Sequence, residues 1–467
     1  MNEAGVPSQR PPQRSDKAVV AARASGALGL VAVLALLAWL IAYPSATRPT
    51  ATTSPTTPPA TSPTTSAPST TSPGQALVPG ILPSLVFGGP GVMLAAVIPG
   101  GYTNEGTKPS QLFLTTDGTT WTNVTPPQSA VNGTYPVFEH ASFISSTTGW
   151  VSAWNPATIN VTIFKTSDQG RTWTAIAAGS HSQAAGATEL IDLVSPTNAY
   201  LVHLEPTGPG ESLSATTNGG ATWHTVYSRP APTPAGQQPS GPFLLQMNFA
   251  NAATGFATGG IPPIEPFAAG TAFYRTADGG STWTSESPPL PEPAKDCPAA
   301  FSEQSAGECA YSLPSFQNPS QGVLAAVAAK SGVARVAFDT TSDGGSIWSE
   351  GAVVSVAVPA GGTANPPTGT GLPGLPLVSM PASGTWWVLG WNHSPFSLIS
   401  RVSSNAGSSW SRNTASMPVT GTPMGFAALD ATHAVVMIAT PTSTQPIVTL
   451  LGTSDGGRTW RQLKLGA

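Results

Sequence analysis

A short motif of the form Thr/Ser-x-Asp/Asn-x-Gly-x-Thr-Trp, which we call a box, recurs seven times along this 467-residue chain. The copy that begins at Thr115 is one residue short, and the other copies begin at Thr166, Thr216, Thr276, Thr341, Ser403 and Thr453. The box Asp or Asn residues are Asp117, Asp168, Asn218, Asp278, Asp343, Asn405 and Asp455. The closing tryptophans, 50 to 65 residues apart, are Trp121, Trp173, Trp223, Trp283, Trp348, Trp410 and Trp460. A period in this range marks a propeller or a solenoid.

The residue types of the box predict a tight turn between two strands. An Asp or Asn side chain accepts hydrogen bonds from backbone N–H groups that follow it, and the glycine tolerates the positive φ of a reversal. The Thr and Trp are then expected to open the next strand, because β-branched and aromatic residues suit a pleated surface. The role predicted for the box carboxylates is structural, and Asn replaces Asp in the copies of residues 216–223 and 403–410.

Each box is preceded by an apolar strand and, further upstream, by a second hairpin. In the second unit these are 161–164 for the strand before the box, and 141–144 with 149–153 for the hairpin. Each unit therefore has four short strands with the box between the third and the fourth. Repeated four-stranded units predict an all-β fold, a seven-bladed propeller of antiparallel blades over residues 79–467.

The motif resembles the Asp-box, or BNR repeat, of sialidases, sortilin-type receptors and the photosystem II assembly-factor family of seven-bladed propellers. The resemblance covers residues 79–467 and implies the propeller fold. It implies function less directly, because one fold hosts many activities.

The N-terminal part of the chain predicts a membrane anchor. Residues 26–43 form an uncharged apolar run of 18 residues, which is roughly 27 Å long as a helix and close to the thickness of a bilayer core. Basic residues precede this run, at Arg10, Arg14, Lys17 and Arg23. The positive-inside rule therefore predicts a single-pass protein of the cell membrane, with residues 1–25 in the cytoplasm and the propeller outside. A cleaved signal peptide is the alternative.

Residues 44–78 form a linker rich in Ser, Thr and Pro. Such a composition cannot bury a core and favours an extended polyproline II stalk, up to roughly 100 Å long at about 3.1 Å per residue. The stalk is expected to hold the propeller away from the membrane.

The chain has two cysteines, Cys297 and Cys309. Outside a membrane, a pair this close in sequence predicts a disulfide that clamps one loop. A pair of metal ligands is the alternative, but no histidine lies nearby in the sequence to complete a site.

Charge and motif content limit the remaining functions. The net charge is −4 and 9% of the residues are charged, which excludes a polybasic nucleic-acid surface. The motifs of serine hydrolases, zinc proteases and phosphate-binding loops are absent from the sequence. No metal or cofactor is expected.

The alternative to a binding protein is a sialidase-like glycoside hydrolase. The resemblance implies an arginine triad, a Tyr nucleophile paired with Glu, and an Asp acid/base, but none of these motifs can be placed on this sequence. A glycosidase in general needs two carboxylates about 5 to 9.5 Å apart. The candidates for such a pair are Glu139, Glu189, Asp192, Glu205 and Glu265.

The leading hypothesis is a non-catalytic binding or assembly scaffold with a protein or glycan partner. In a four-stranded blade, the second-to-third and fourth-to-first connections lie opposite the boxes, and the long ones in this chain are 99–110, 126–137, 228–242, 259–270, 286–308 and 359–376. Aromatic and polar residues next to them are the predicted contacts, because such residues are typical of ligand surfaces. They are Trp154, Asn155, His203, Glu205, Trp391, Asn392 and His393. Blade packing or loop capping is the alternative role for each of them.

Overall fold

The computed structural model describes residues 81–99, 108–131, 133–155, 158, 160–177, 188–204, 210–230, 243–260, 272–291, 309–359, 375–382, 384–440 and 447–465. These residues form seven antiparallel sheets, each from one continuous stretch of chain with its strands in sequence order. The predicted seven-bladed propeller of four-stranded blades is therefore confirmed. In the described ranges, no helix is long and apolar enough to cross a membrane. The predicted segments 1–25, 26–43 and 44–78 lie outside those ranges.

The first four blades follow one another along the chain. Blade 1 has β1 (Ile81–Gly89), β2 (Val92–Pro99), β3 (Gln111–Thr115) and β4 (Thr122–Asn123). Blade 2 has β5 (Val137–Phe143), β6 (Gly149–Trp154), β7 (Val161–Thr166) and β8 (Thr174–Ala177). Blade 3 has β9 (Thr188–Leu193), β10 (Ala199–Leu204), β11 (Gly210–Thr216) and β12 (His224–Pro230). Blade 4 has β13 (Phe243–Phe249), β14 (Gly255–Gly260), β15 (Ala272–Thr276) and β16 (Thr284–Glu286).

The last three blades complete the ring. Blade 5 has β17 (Cys309–Tyr311), β18 (Ser315–Phe316), β19 (Gly322–Lys330), β20 (Val333–Thr341) and β21 (Ser349–Ala357). Blade 6 has β22 (Leu377–Ala382), β23 (Thr385–His393), β24 (Phe396–Ser403) and β25 (Ser411–Ser416). Blade 7 has β26 (Thr422–Ala428), β27 (Ala434–Thr440), β28 (Ile447–Thr453) and β29 (Arg461–Gln462).

Two details differ from the sequence prediction. The inner strand of blade 5 is divided into β17 and β18, which both pair with β19. The break contains Pro314, whose backbone has no N–H to donate to a ladder. In addition, the fourth strand of each blade begins one residue after the box tryptophan, so the tryptophan ends the turn.

The boxes lie on the same face as the turns between the first and second strands. The N–H of Gln169 in the second box donates to the carbonyl of Thr147 in the preceding turn, at 3.1 Å. The corresponding bond of blade 3 joins Gly219 to Thr197, at 2.8 Å. We call this side the box face. The opposite side, the loop face, carries the second-to-third and fourth-to-first connections, as the sequence predicts.

The core of the described residues includes seven apolar clusters that each lie between two adjacent blades, one for every pair of neighbours. Blade 1 contributes Met93 and Phe113 to a cluster that includes Val435 and Leu450 of blade 7. The ring is therefore closed by side-chain packing, and in the described chain no strand is exchanged between blades 7 and 1. Burying an aliphatic or aromatic side chain of this kind contributes roughly 1.5 to 3 kcal/mol.

Polar bonds also join neighbouring inner strands, at the position that we call the interblade position. The equivalent residues, in chain order, are Phe87, Ser142, Asp192, Asn248, Ser315, Ser379 and Ala427. The five polar ones each bond the backbone of the next blade. For example, the N–H of Leu193 donates to Ser142 Oγ at 2.9 Å, and the N–H of Ala428 donates to Ser379 Oγ at 3.1 Å.

The two apolar interblade positions flank blade 1. Phe87 packs on Phe143 of blade 2, with ring centroids 6.1 Å apart. Gly88 lies so close to blade 7 that an added Cβ would be 3.2 Å from the Cβ of Ala427. At the interblade position, the contacts of blade 1 with its two neighbours are therefore apolar. From blade 2 to blade 7, each blade is joined to the next by a polar bond at this position.

Candidate functional site

The box turns use their own polar side chains. In the second box, Thr166 Oγ1 accepts the N–H of Gly170 at 2.8 Å and donates to Asp168 Oδ1 at 2.9 Å. Asp168 also accepts the hydroxyl of Thr172 at 2.7 Å and its N–H at 2.9 Å. These bonds from Thr172 hold the pKa of Asp168 below its ordinary value. The carboxylate is thus occupied within the turn.

The boxes that carry Asn make the same two contacts, but in the contact with the hydroxyl the amide nitrogen is the donor. Asn218 Oδ1 accepts the N–H of Thr222 at 3.0 Å, and its Nδ2 donates to the hydroxyl of Thr222 at 2.8 Å. Asn405 makes the equivalent pair with Ser409. An amide therefore serves as well as a carboxylate because the threonine or serine hydroxyl can accept as well as donate.

We expect Asp278→Ala to lower the free energy of unfolding by about 1–2 kcal/mol, since it removes bonds from the N–H and the hydroxyl of Thr282. The matched control Asp278→Asn should change it by less than about 0.5 kcal/mol, because Asn occupies this place in two boxes. Urea denaturation of both variants measures the difference. Equal losses would contradict the interchangeable roles of amide and carboxylate.

The structure places two predicted contact residues at the loop face of blade 2. Trp154 ends β6 and is half-buried. Asn155 is buried, and its Nδ2 donates to the carbonyl of Thr134 at 2.9 Å while its Oδ1 accepts the N–H of Thr158 at 3.2 Å. Asn155 therefore stabilises the connections beside it, and Trp154 is the partly exposed member of the pair.

The other predicted contact residues that the structure describes lie on blades 3 and 6. His203 is buried on β10 of blade 3, and Trp391 is buried in the core between blades 6 and 7. Asn392 is half-buried, and His393 is the last residue of β23. Glu205 lies outside the described residues.

Asp192, a candidate glycosidase carboxylate, is half-buried on the inner strand of blade 3. Its Oδ2 accepts the N–H of Phe249 in blade 4 at 2.6 Å, and its Oδ1 accepts the hydroxyl of Ser142 in blade 2 at 3.5 Å. Burial raises its pKa to about 7. Asp192 thus connects three blades. The sequence contained a signal for this role, because five of the seven equivalent positions are polar.

A neighbouring histidine strengthens the same part of the ring. His140 on β5 accepts the N–H of Ile191 through Nδ1 at 3.3 Å. Burial lowers the pKa of His140 to about 4, so the ring is neutral at pH 7. The bond from Ile191 joins blades 2 and 3 and occupies Nδ1 of His140.

Two further carboxylates with raised pKa values lie between blades 4 and 5. Burial raises the pKa of Asp339 on β20 to about 7, and the N–H of Gly351 only partly offsets this. Neither oxygen of Asp339 has a hydrogen bond of normal geometry among the described residues. Burial also raises the pKa of Glu286 to about 7, although Arg275 lies 4.0 Å away. Both carboxylates lie on outer strands, away from the inner strands of the ring.

The arginines of the propeller also lie toward the outside. Those on third or fourth strands are Arg229, Arg275, Arg335, Arg401, Arg412 and Arg461. The remaining two, Arg171 and Arg458, belong to box turns. No arginine of residues 79–467 falls on an inner strand, so this sequence cannot supply an arginine cluster from the strands around the axis.

The described residues contain one cysteine and no cluster of metal ligands. Among the described residues there is no group of three or more His, Cys, Asp or Glu side chains that could hold a metal ion. Cys309 is buried at the start of β17, and Cys297 lies outside the described residues. The disulfide between them stays a prediction.

Among known proteins, this chain is similar to several solved structures. No protein-family model and no curated protein matches the chain. The chain is similar to YCF48 from Cyanidioschyzon merolae, with 15% identity, a TM-score of 0.40, and coverage of 71% of this chain and 87% of that one. It is also similar to the Penicillium chrysogenum alpha-L-arabinanase complexed with arabinobiose, with 16% identity, a TM-score of 0.38, and coverage of 68% and 93%. Similarity at these identities and TM-scores does not indicate a function for this chain.

Proposed function

We propose that this chain is a membrane-anchored, extracytoplasmic propeller of the Asp-box family that acts as a non-catalytic binding or assembly scaffold. Its partner would be a protein or a glycan, contacted by the loop face. The anchor is the apolar run of residues 26–43, and the stalk is the linker of residues 44–78.

The bonding of the inner-strand polar groups is the observation that carries this proposal. Asp192 and His140 are half-buried and bonded across blades. The arginines lie on outer strands or in boxes. A sialidase-like hydrolase would need free carboxylates and a basic cluster around the axis. Asp192 and His140 instead connect neighbouring blades, which favours a rigid frame that presents connections on one face.

An assay of the full-length chain against a panel of fluorogenic glycosides tests this proposal. We expect no turnover, and we expect the chain to stay with membranes after carbonate extraction while a variant without residues 1–43 is released. Turnover that is lost in Glu139→Gln or Glu205→Gln would overturn the scaffold in favour of the hydrolase. Release of the full-length chain by carbonate would overturn the anchor alone.

A further inference from the structure

Two arginines face each other on the outer strands of blade 6. Arg401 on β24 lies directly opposite Arg412 on β25 in the antiparallel register. Side chains at directly opposite positions share one face of the sheet, with their Cβ atoms about 4.5 to 5.5 Å apart. Like charges in this arrangement repel each other and destabilise a sheet. The pair is therefore unfavourable unless a negative group neutralises the two guanidinium groups.

The blade frame does not require arginine at either place. Arg401 lies two residues before Ser403, the first residue of its box. The corresponding third-strand residues of the other blades are Phe113, Phe164, Ser214, Tyr274, Asp339 and Leu451. Where these residues are paired with a fourth strand, the residues opposite them are Asn123, Ala175, Thr225, Ser285 and Gln462. Among these ladders, blade 6 alone carries two like charges.

Two backbone carbonyls hold the Arg401 side chain in place. Its Nε donates to the carbonyl of Ser355 in blade 5 at 3.2 Å, and its Nη1 donates to the carbonyl of Ser400 at 3.0 Å. An arginine side chain has five N–H donors in one plane, and two of them belong to Nη2. Nη2 of Arg401 donates to no residue in the part of the chain that the structure describes. Arg401 is therefore a half-buried, oriented cation at the contact of blades 5 and 6, with donors left over.

No described carboxylate forms an ion pair with either arginine. Burial lowers the pKa of Arg401, and so does the charge of Arg412. Both guanidinium groups still stay charged at neutral pH, because an arginine in a protein does not lose its proton. Arg412 is exposed and makes no hydrogen bond to another described residue. The pair thus carries two positive charges that no described side chain balances.

The connections beside blade 6 add no carboxylate. Residues 360–374, which join blades 5 and 6, and residues 441–446 of blade 7 contain no Asp or Glu. From residue 309 to the end of the sequence, the acidic residues are Asp339, Asp343, Glu350, Asp430 and Asp455. Those of the two boxes and the one beside His433 are bonded in their own turns. Glu350 is near Asp339, which lies between blades 4 and 5. The positive charge at the rim of blade 6 is therefore open to an external anion.

We propose that Arg401 and Arg412 bind a doubly charged oxyanion, phosphate or sulfate, at the outer rim of the propeller. A dianion balances both positive charges, whereas a single carboxylate would leave one of them unbalanced. Guanidinium groups donate parallel N–H bonds to such oxyanions, and bonds between charged groups are among the strongest hydrogen bonds. The phosphate group is the same whether it is a free ion or a monoester on a larger molecule. The site is independent of the proposed loop-face scaffold and of the membrane anchor.

Calorimetric titration of the detergent-purified full-length chain at constant ionic strength tests this site, with inorganic phosphate, sulfate, phenyl phosphate and acetate as probes. Arg412→Gln removes the exposed guanidinium and leaves the bonds of Arg401 in place. Arg461→Gln is the matched control, since Arg461 is also exposed on a fourth strand but lies opposite Gly452. We expect Arg412→Gln to weaken phosphate binding by about ten-fold or more. Arg461→Gln should weaken it by less than about two-fold.

The probes distinguish the source of the anion. Tighter binding of phosphate than of phenyl phosphate indicates a free ion, and the reverse order indicates a monoester on a larger molecule; both results support the site. Acetate binding as tight as phosphate binding would overturn the dianion. Equal losses in the two variants, or no binding of phosphate and sulfate to the parent chain, would overturn the site.

Thermal unfolding separates this role from a structural one. In chloride alone, Arg412→Gln should keep or slightly raise the Tm, because it removes the repulsion between like charges. In phosphate at about ten times the dissociation constant, the parent chain and Arg461→Gln should gain about 2 °C more than Arg412→Gln. Phosphate also stabilises proteins by exclusion from their surface, and that general gain is the same in all three chains. A lower Tm of Arg412→Gln in chloride, or equal gains in all three chains, would contradict the proposal.

Discussion

Replacing Gly351 with alanine should lower the free energy of unfolding by about 3 kcal/mol or more, since a methyl group there meets backbone. An added Cβ at Gly351 would be 1.9 Å from the carbonyl oxygen of Phe338 and 3.0 Å from its carbon. Those atoms belong to β20, whose register with β21 shifts between Phe338 and Thr340. Relief of the contact would require the two strands of blade 5 to separate.

Urea denaturation of Gly351→Ala measures this loss, and Gly425→Ala is the matched control. Gly425 also lies in a strand, β26, but its added Cβ would meet only Met437, with the flexible Cε end at 3.2 Å and the Cβ at 3.8 Å. We expect the control to change stability by less than about 1 kcal/mol. Similar losses in the two variants would contradict the close approach of β20 and β21.

The second large effect is expected from Asp192→Asn at alkaline pH. Burial raises the pKa of Asp192 to about 7 in the folded protein, whereas an unfolded Asp titrates near 4. Between these values the unfolded state has lost the proton and the folded state keeps it, so this group lowers stability as the pH rises from about 4 to about 7. The amide carries no charge. It should therefore stabilise the protein by an amount on the order of 3 kcal/mol at pH 8 and by little at pH 4.

The measurement is the free energy of unfolding of Asp192→Asn minus that of the parent chain, followed from pH 4 to pH 8. Subtraction removes the contribution of His140, whose pKa is lowered to about 4 and whose stabilisation is lost as the pH falls through that range. Asp278→Asn is the control, because this carboxylate lies in an exposed turn and the pKa of Asp278 is lowered, not raised; its difference should stay within about 0.5 kcal/mol over the same range. A flat difference for Asp192→Asn would refute the desolvated position of its carboxylate between the blades.

Much of the fold could be predicted because the box is a local structure. Its bonds join residues two to four apart, as between Thr166, Asp168 and Thr172, so the residue types alone specify the turn. The number of boxes then gives the number of blades, and the apolar runs along each unit give the strands. The division of the blade 5 inner strand was missed, although Pro314 marked the place.

The candidate contacts were harder to predict because blade strands are packed on both faces. Trp154 ends a second strand, and Trp391 lies near the end of another. Trp391 is in the core between blades 6 and 7, whereas Trp154 is half-exposed. In a strand that is covered on both sides, apolar residues lose the alternation that separates inside from outside. The sequence could not distinguish the two tryptophans.

The sequence by itself determined the repeat, the turn chemistry and the face on which the boxes lie, because these depend on hydrogen bonds within one blade. The tertiary structure decided how Asp192 is bonded, which tryptophans are buried, and how blades 7 and 1 meet. Those contacts join residues about 50 or more positions apart, as when Asp192 accepts the N–H of Phe249. Side chains so distant in sequence are brought together only when whole blades pack against one another, and no local pattern encodes that outcome.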